Sequence, residues 1–191
     1  ILSSILISFV AVLTVSAQNY ADRQSLTDPQ SQTMILLGDP QGYVKYKVYQ
    51  PFFDMMTAWI ADNVENLNIK AVLCVGDLVD HNDNNILNLA VYDQTSAQMW
   101  DAVSKSFENI DGLVPHIHSP GNHDYGFIAA EDEHTYFPDH FPVERHKGTM
   151  KTCLVAQYPN REGRASLENA AFEFTMNGWS KKILVISSEF Y

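Results

Sequence analysis

Three short runs hold the side chains that could do chemistry: Gly38-Asp39-Pro40-Gln41, Gly76-Asp77 and Gly121-Asn122-His123-Asp124. Carboxylate and amide oxygens suit hard or borderline divalent cations such as Mn, Mg or Fe, and an imidazole suits transition metals better than calcium. Each run is led by a glycine, which lets the backbone turn sharply and lets a bulky group approach closely. No Ser-His-Asp order, no phosphate-cradling Gly-Lys-Ser/Thr loop and no CxxC zinc pattern competes with them.

The elements that must position these runs are strands. Residues 71–80 (AVLCVGDLVD) carry five apolar residues into Gly76, and Asp77 then stands where the chain leaves the strand. That is how a buried parallel strand delivers a functional residue at its carboxyl end. Residues 34–37 and 114–119 form two further strands, each ending in one of the other runs. If the first strand stays extended through residue 41, period-two geometry turns Asp39 and Gln41 to the same side. Pro51 opens a helix to about residue 66, with Phe52, Met56, Trp59, Ile60 and Val64 at helical spacing, a stripe that reads as core packing. The first two strands and this helix make a βαβ unit with a right-handed crossover. A second helix, about 96–109, buries Ala97, Trp100, Val103 and Phe107 and stops at Asp111-Gly112.

The connecting segments are less regular. Residues 80–88 (DHNDNNILN) read as a solvated polar loop, with His81 and Asp83 as outlying candidates for metal contact. His116 and His118 lie within the body of the third strand and read as packed or hydrogen-bonded histidines. Residues 125–150 mix aromatics, acids and prolines without a period, which suits a rim or lid over a site. Residues 171–176 and 179–188, joined at Asn177-Gly178, predict a hairpin with a type I′ turn. Cys74 is a small thiol within an apolar strand, and a bond from it to Cys153 has no support in the sequence.

A chain of 191 residues, 46% apolar, supports one substantial domain. Twelve basic residues against 23 acidic ones give a net charge of -11. That balance argues against nucleic acid or an anionic membrane as partner and suits a protein that holds cations. Residues 1–17 (ILSSILISFVAVLTVSA) are an apolar run ending in Val15-Ser16-Ala17, which predicts a signal peptide cleaved after Ala17 and a secreted, extracellular or periplasmic protein. Residues 18–32 then form a flexible lead, and residues 33–191 the domain.

With these motifs in this order, the chain resembles the calcineurin-like metallophosphoesterases over roughly residue 34 to the final hairpin. The resemblance implies a four-layer α/β/β/α sandwich and two divalent cations (Mn, Fe, Mg or Zn). Asp39 and Gln41 would hold the first, Asp77 would bridge both, and Asn122 would hold the second. His123 would face the substrate phosphate, oriented by Asp124. The reaction would be hydrolysis of a phosphate mono- or diester, a bridging hydroxide attacking phosphorus in line. Gln41 stands where many members have His, which implies a weaker or altered first site. The family's later ligands, a lone His and a Gly-His-x-His turn, would lie beyond Tyr191, so the sandwich is expected to be incomplete and the chain alone inactive. The rival reading is a secreted, non-catalytic binding module on the same scaffold, using residues 125–150 for recognition.

Overall fold

The computed structural model describes residues 24–190 except 147. The proposed signal segment, and the lead as far as residue 23, lie outside the described residues. Residues 24–32 have no regular structure but are tied down: the Asn68 side-chain amide donates to the Ser31 carbonyl at 2.9 Å, and Leu26 packs against the core.

Two three-stranded sheets organise the chain. The first is parallel, in the order β1 (Thr33–Leu37), β2 (Ile69–Cys74), β3 (His116–His118), with Leu37 opposite Cys74 and Cys74 opposite His118. Between β1 and β2 run a short helix α1 (Gln41–Val44) and the 14-residue α2 (Gln50–Asn63), and between β2 and β3 runs α3 (Ser96–Phe107). The start of α3 is written locally: the Thr95 hydroxyl accepts from the Gln98 N–H while the Gln98 side chain accepts from the Thr95 N–H. The second sheet is antiparallel, in the order β4 (Leu154–Tyr158), β5 (Asn169–Thr175), β6 (Lys182–Ser187).

Strand register puts Val72, Cys74, His116 and His118 on the face covered by the helices, where Phe107 meets Phe53 at 5.5 Å and stacks on His116 at 5.3 Å between ring centres. Leu36, Leu73 and Ile117 point the other way, toward Val185 and Ile186 of β6, and the Ser187 hydroxyl donates to the His118 carbonyl at 2.9 Å. The described residues thus form three layers, helices on sheet on sheet, around one core.

Three expectations change. In α3, Trp100, Val103 and Phe107 are buried but Ala97 is exposed. In α2 the buried face is Phe53, Thr57, Ile60 and Asn63, while Phe52, Met56 and Trp59 are exposed. Both faces carry large apolar residues, so periodicity alone could not choose between them. The Asn177-Gly178 turn is not type I′, because Gly178 has positive φ and Asn177 does not, and six residues rather than two separate β5 from β6. Cys74 and Cys153 are both buried thiols, not a disulfide, and burial pushes them up to about 12 and about 11.

Candidate metal centre

All three sequence runs emerge at the carboxyl edge of the parallel sheet. The first turns sooner than strand geometry would have it: β1 ends at Leu37, Pro40 is already helical, and Gln41 opens α1. Asp39 and Gln41 still meet, through an Asp-led turn. The Gln41 N–H donates to Asp39 Oδ1 at 2.9 Å, and the Gln41 side-chain amide donates to Asp39 Oδ2 at 2.8 Å. The same amide nitrogen lies 3.4 Å from Asp77 Oδ2.

Asp77 is held in a conformation that costs free energy. Its φ is 46°, in the left-handed region that non-glycine residues seldom adopt, directly after Gly76 at 102°. The third run clasps it there. The His123 N–H donates to Asp77 Oδ1 at 2.9 Å, and a Cβ on Gly121 would lie 2.2 Å from the same oxygen. A Cβ on Gly76 would meet the Gly121 nitrogen at 2.5 Å. The two glycines let the second and third turns interlock, and no other residue fits at either.

His123 and Asp124 play separate parts. The His123 Nδ1–H donates to the Asp80 carbonyl at 2.7 Å, which leaves Nε2 as the nitrogen free to exchange a proton. The half-buried carboxylate of Asp80 is lowered in pKa: burial opposes the shift, but hydrogen bonds from His81 and from Lys45, the latter at 3.0 Å, prevail. Asp124 is fully buried and accepts from Gly121 N at 2.9 Å and Val79 N at 3.1 Å, so it acts on His123 by fixing the turn. Burial pushes its carboxyl up to about 8, against those hydrogen bonds and with the charge of Asp77 adding to the rise.

The donor chemistry fits a cation. Two carboxylates converge on one amide N–H₂ group of Gln41, which occupies the place of a positive charge. An amide reversal would offer Oε1 in its stead. Asn122, half-buried, lies between Gly121 and His123 in the clasping turn. Among the described residues no three His, Cys, Asp or Glu side chains form a metal-holding group, and the present donors are two carboxylates with two amides. Of the residues named from type and spacing, Gln41 lies within hydrogen-bonding reach of both Asp39 and Asp77.

Reasoning from type and spacing missed the supports. Asn82, expected in a solvated loop, is fully buried: its Oδ1 accepts from Trp100 Nε1 and Tyr136 N, and its Nδ2 donates to the His134 carbonyl. His81 is also buried, its ring 4.3 Å from that of Tyr92. Glu168, equally hidden, accepts from Tyr125 Oη at 2.6 Å, Asn160 Nδ2 at 2.8 Å and Ser166 Oγ at 2.8 Å, tying the residue after the clasping turn to the second sheet. His116 and His118 are packed, as expected, 2.8 Å apart, with His116 Nε2 2.8 Å from Asp111.

A parallel sheet thus presents oxygen-bearing side chains and one imidazole together at its carboxyl edge. Residues 33–175 match the family model described as calcineurin-like phosphoesterase, and the chain belongs to that family. The family's description names phosphoester chemistry. The chain is also 33% identical over 136 residues to the uncharacterized protein YvnB of Bacillus subtilis (strain 168), an alignment covering 71% of this chain and 9% of that protein. It therefore spans only a small part of that relative's length.

Proposed function

We propose that the protein hydrolyses phosphate mono- or diesters at a two-cation centre held by Asp39, Gln41, Asp77 and Asn122. The observation that carries this reading is the convergence of Asp39 and Asp77 on one amide group, with Asp77 gripped in a left-handed conformation by the turn that bears Asn122 and His123. When bound, the cations supply charge neutralisation at the phosphoryl oxygens and a hydroxide for in-line attack. Asp77, whose two oxygens face Gln41 and His123, would be shared by both ions. Gln41 and Asn122 would add neutral oxygens, so the cations would keep more of their charge than with further carboxylates. His123, its Nδ1–H given to the Asp80 carbonyl, presents Nε2: the imidazolium donates to a phosphoryl or leaving-group oxygen, and the neutral ring takes a proton back.

We further propose secretion, from the apolar run of residues 1–17. Among the described residues no helix is long and apolar enough to cross a membrane. N-terminal sequencing of the exported product tests this, with Gln18 the expected first residue.

The test of activity is hydrolysis of p-nitrophenyl phosphate and bis-p-nitrophenyl phosphate by the protein as naturally expressed, beside the 191-residue chain alone, which is expected to be inactive, with Mn, Fe, Mg or Zn in turn, before and after chelation. Turnover that needs a divalent ion and disappears in Asp77→Asn is the expected result. No hydrolysis of either ester with any of the four metals would overturn the proposal and favour a binding module.

A further inference from the structure

The loops that leave the carboxyl ends of β2 and β3, and so flank the candidate centre, expose apolar side chains at their tips. In the first, Ile86 is 73% exposed and Leu89 75%, with Leu87 and Val91 about half exposed, so four large apolar residues lie within six positions. In the second, Phe127 and Ile128 are about half exposed. Ordinary loop tips are polar, and apolar side chains this concentrated in water mark a binding surface.

The first tip is anchored at Lys45, which bonds to both Gln41 and Asp80, and the second at Asp83 in the loop after β2. The Val91 carbonyl accepts from Tyr46 Oη, the Asp93 N–H donates to the Lys45 carbonyl at 3.1 Å, and the Asp93 carboxylate accepts from Lys47 N at 2.8 Å. Lys45 lies one helical turn, about 5–6 Å, beyond Gln41, and its amine binds Asp80, whose carbonyl holds His123. On the other side the Asp83 N–H donates to the Gly126 carbonyl at 2.9 Å, fixing the 127–128 tip to the same segment.

Resting on the phosphoester reading, we infer that the substrate carries an apolar substituent, alkyl or aryl, on its phosphoryl group, seated between the 86–91 and 127–128 tips. The phosphoryl end meets the oxygen donors and His123, and the substituent leaves water against Leu89 and Phe127. The strongly acidic chain repels anionic surfaces, which favours a compact ligand of this kind over an anionic bilayer.

Methyl-, butyl- and hexylphosphonic acid, which do not hydrolyse, are titrated calorimetrically into the chain in saturating Mn²⁺, beside Leu89→Ser and Phe127→Ser. Both positions are exposed, so the variants fold. The expected result is a Kd that falls by up to about fourfold per added methylene between methyl and butyl, with that gain at least halved in each variant. Equal Kd for methyl- and hexylphosphonic acid overturns the inference and leaves the phosphoester reading standing, whereas no binding of any phosphonate overturns both. A chain-length gain untouched by either substitution also overturns it. So does loss of binding to phosphatidylcholine vesicles in the variants with an unchanged phosphonate series, which assigns the tips to a membrane.

Discussion

At Asp77 conformation and charge are required together. A left-handed φ tolerates Gly, Asn and Asp, and the proposed sharing of this side chain by two cations would require an anion, which leaves Asp. Asp77→Asn keeps the conformation and removes the charge, so it isolates the ligand role. Calorimetric Mn²⁺ titration should show affinity lowered at least tenfold in Asp77→Asn and within twofold of the parent in His123→Ala, whose ring is held by a carbonyl outside the donor set. Turnover should fall in both, on the order of 10²–10⁴-fold for His123→Ala if the ring transfers a proton. Equal loss of metal in the two variants would make His123 a ligand and reverse the assignment.

The turns and helices show what was legible and what was not. That the three glycine-led runs leave strand ends was legible because strand termini and turn glycines are local features. The interlock of Gly76 with Gly121 was not, because it depends on two turns 45 residues apart meeting within van der Waals distance. Gly121→Ala should therefore cost about 1–3 kcal/mol or more, measurable by urea denaturation, and should weaken Mn²⁺ binding as Asp77 shifts. The phase of α2 was likewise illegible: a helix apolar on two faces turns whichever one the rest of the fold covers, and Phe107 and the parallel sheet cover Phe53. Phe53→Ala should cost about 3–5 kcal/mol and Phe52→Ala, exposed, about 1 kcal/mol or less. Comparable losses would restore the stripe read from periodicity. Asn82 and Glu168 escaped notice for a related reason: a polar residue in a loop reads as solvated until tertiary contacts bury it and supply its partners.

Across the whole molecule, three connections meet at His134. Its Nδ1 lies 2.7 Å from Glu162 in the β4–β5 connection, its Nε2 3.7 Å from Asp83 in the loop after β2, and its own segment follows the clasping turn. Its carbonyl accepts from Gly126 N and Asn82 Nδ2, and its N–H donates to Asp132 at 2.9 Å. Burial disfavours the charged ring, but the hydrogen bond to Glu162 and the charges of Asp83, Glu162 and Asp132 outweigh it, so the pKa is raised above the ordinary 6.5. A proton is thus held more tightly in the folded than in the unfolded chain. The stabilisation is fully present below about pH 6.5 and is lost as pH rises through the folded value. Above it the neutral ring leaves Glu162 and Asp83 facing each other without a cation, and the clasp between the loops loosens. Asp83, already raised chiefly by burial and held down by His134, loses that support at the same point. Urea denaturation at intervals from pH 5.5 to 9 should show the parent losing stability relative to His134→Gln, which cannot carry the charge, with the difference between the curves constant below about pH 6.5 and shrinking as pH rises through the folded value. Limited proteolysis within residues 126–134 should accelerate over the same range in the parent and stay level in the variant. Parallel stability curves for the two proteins would show that the histidine is held for its shape, and that the clasp does not depend on its charge.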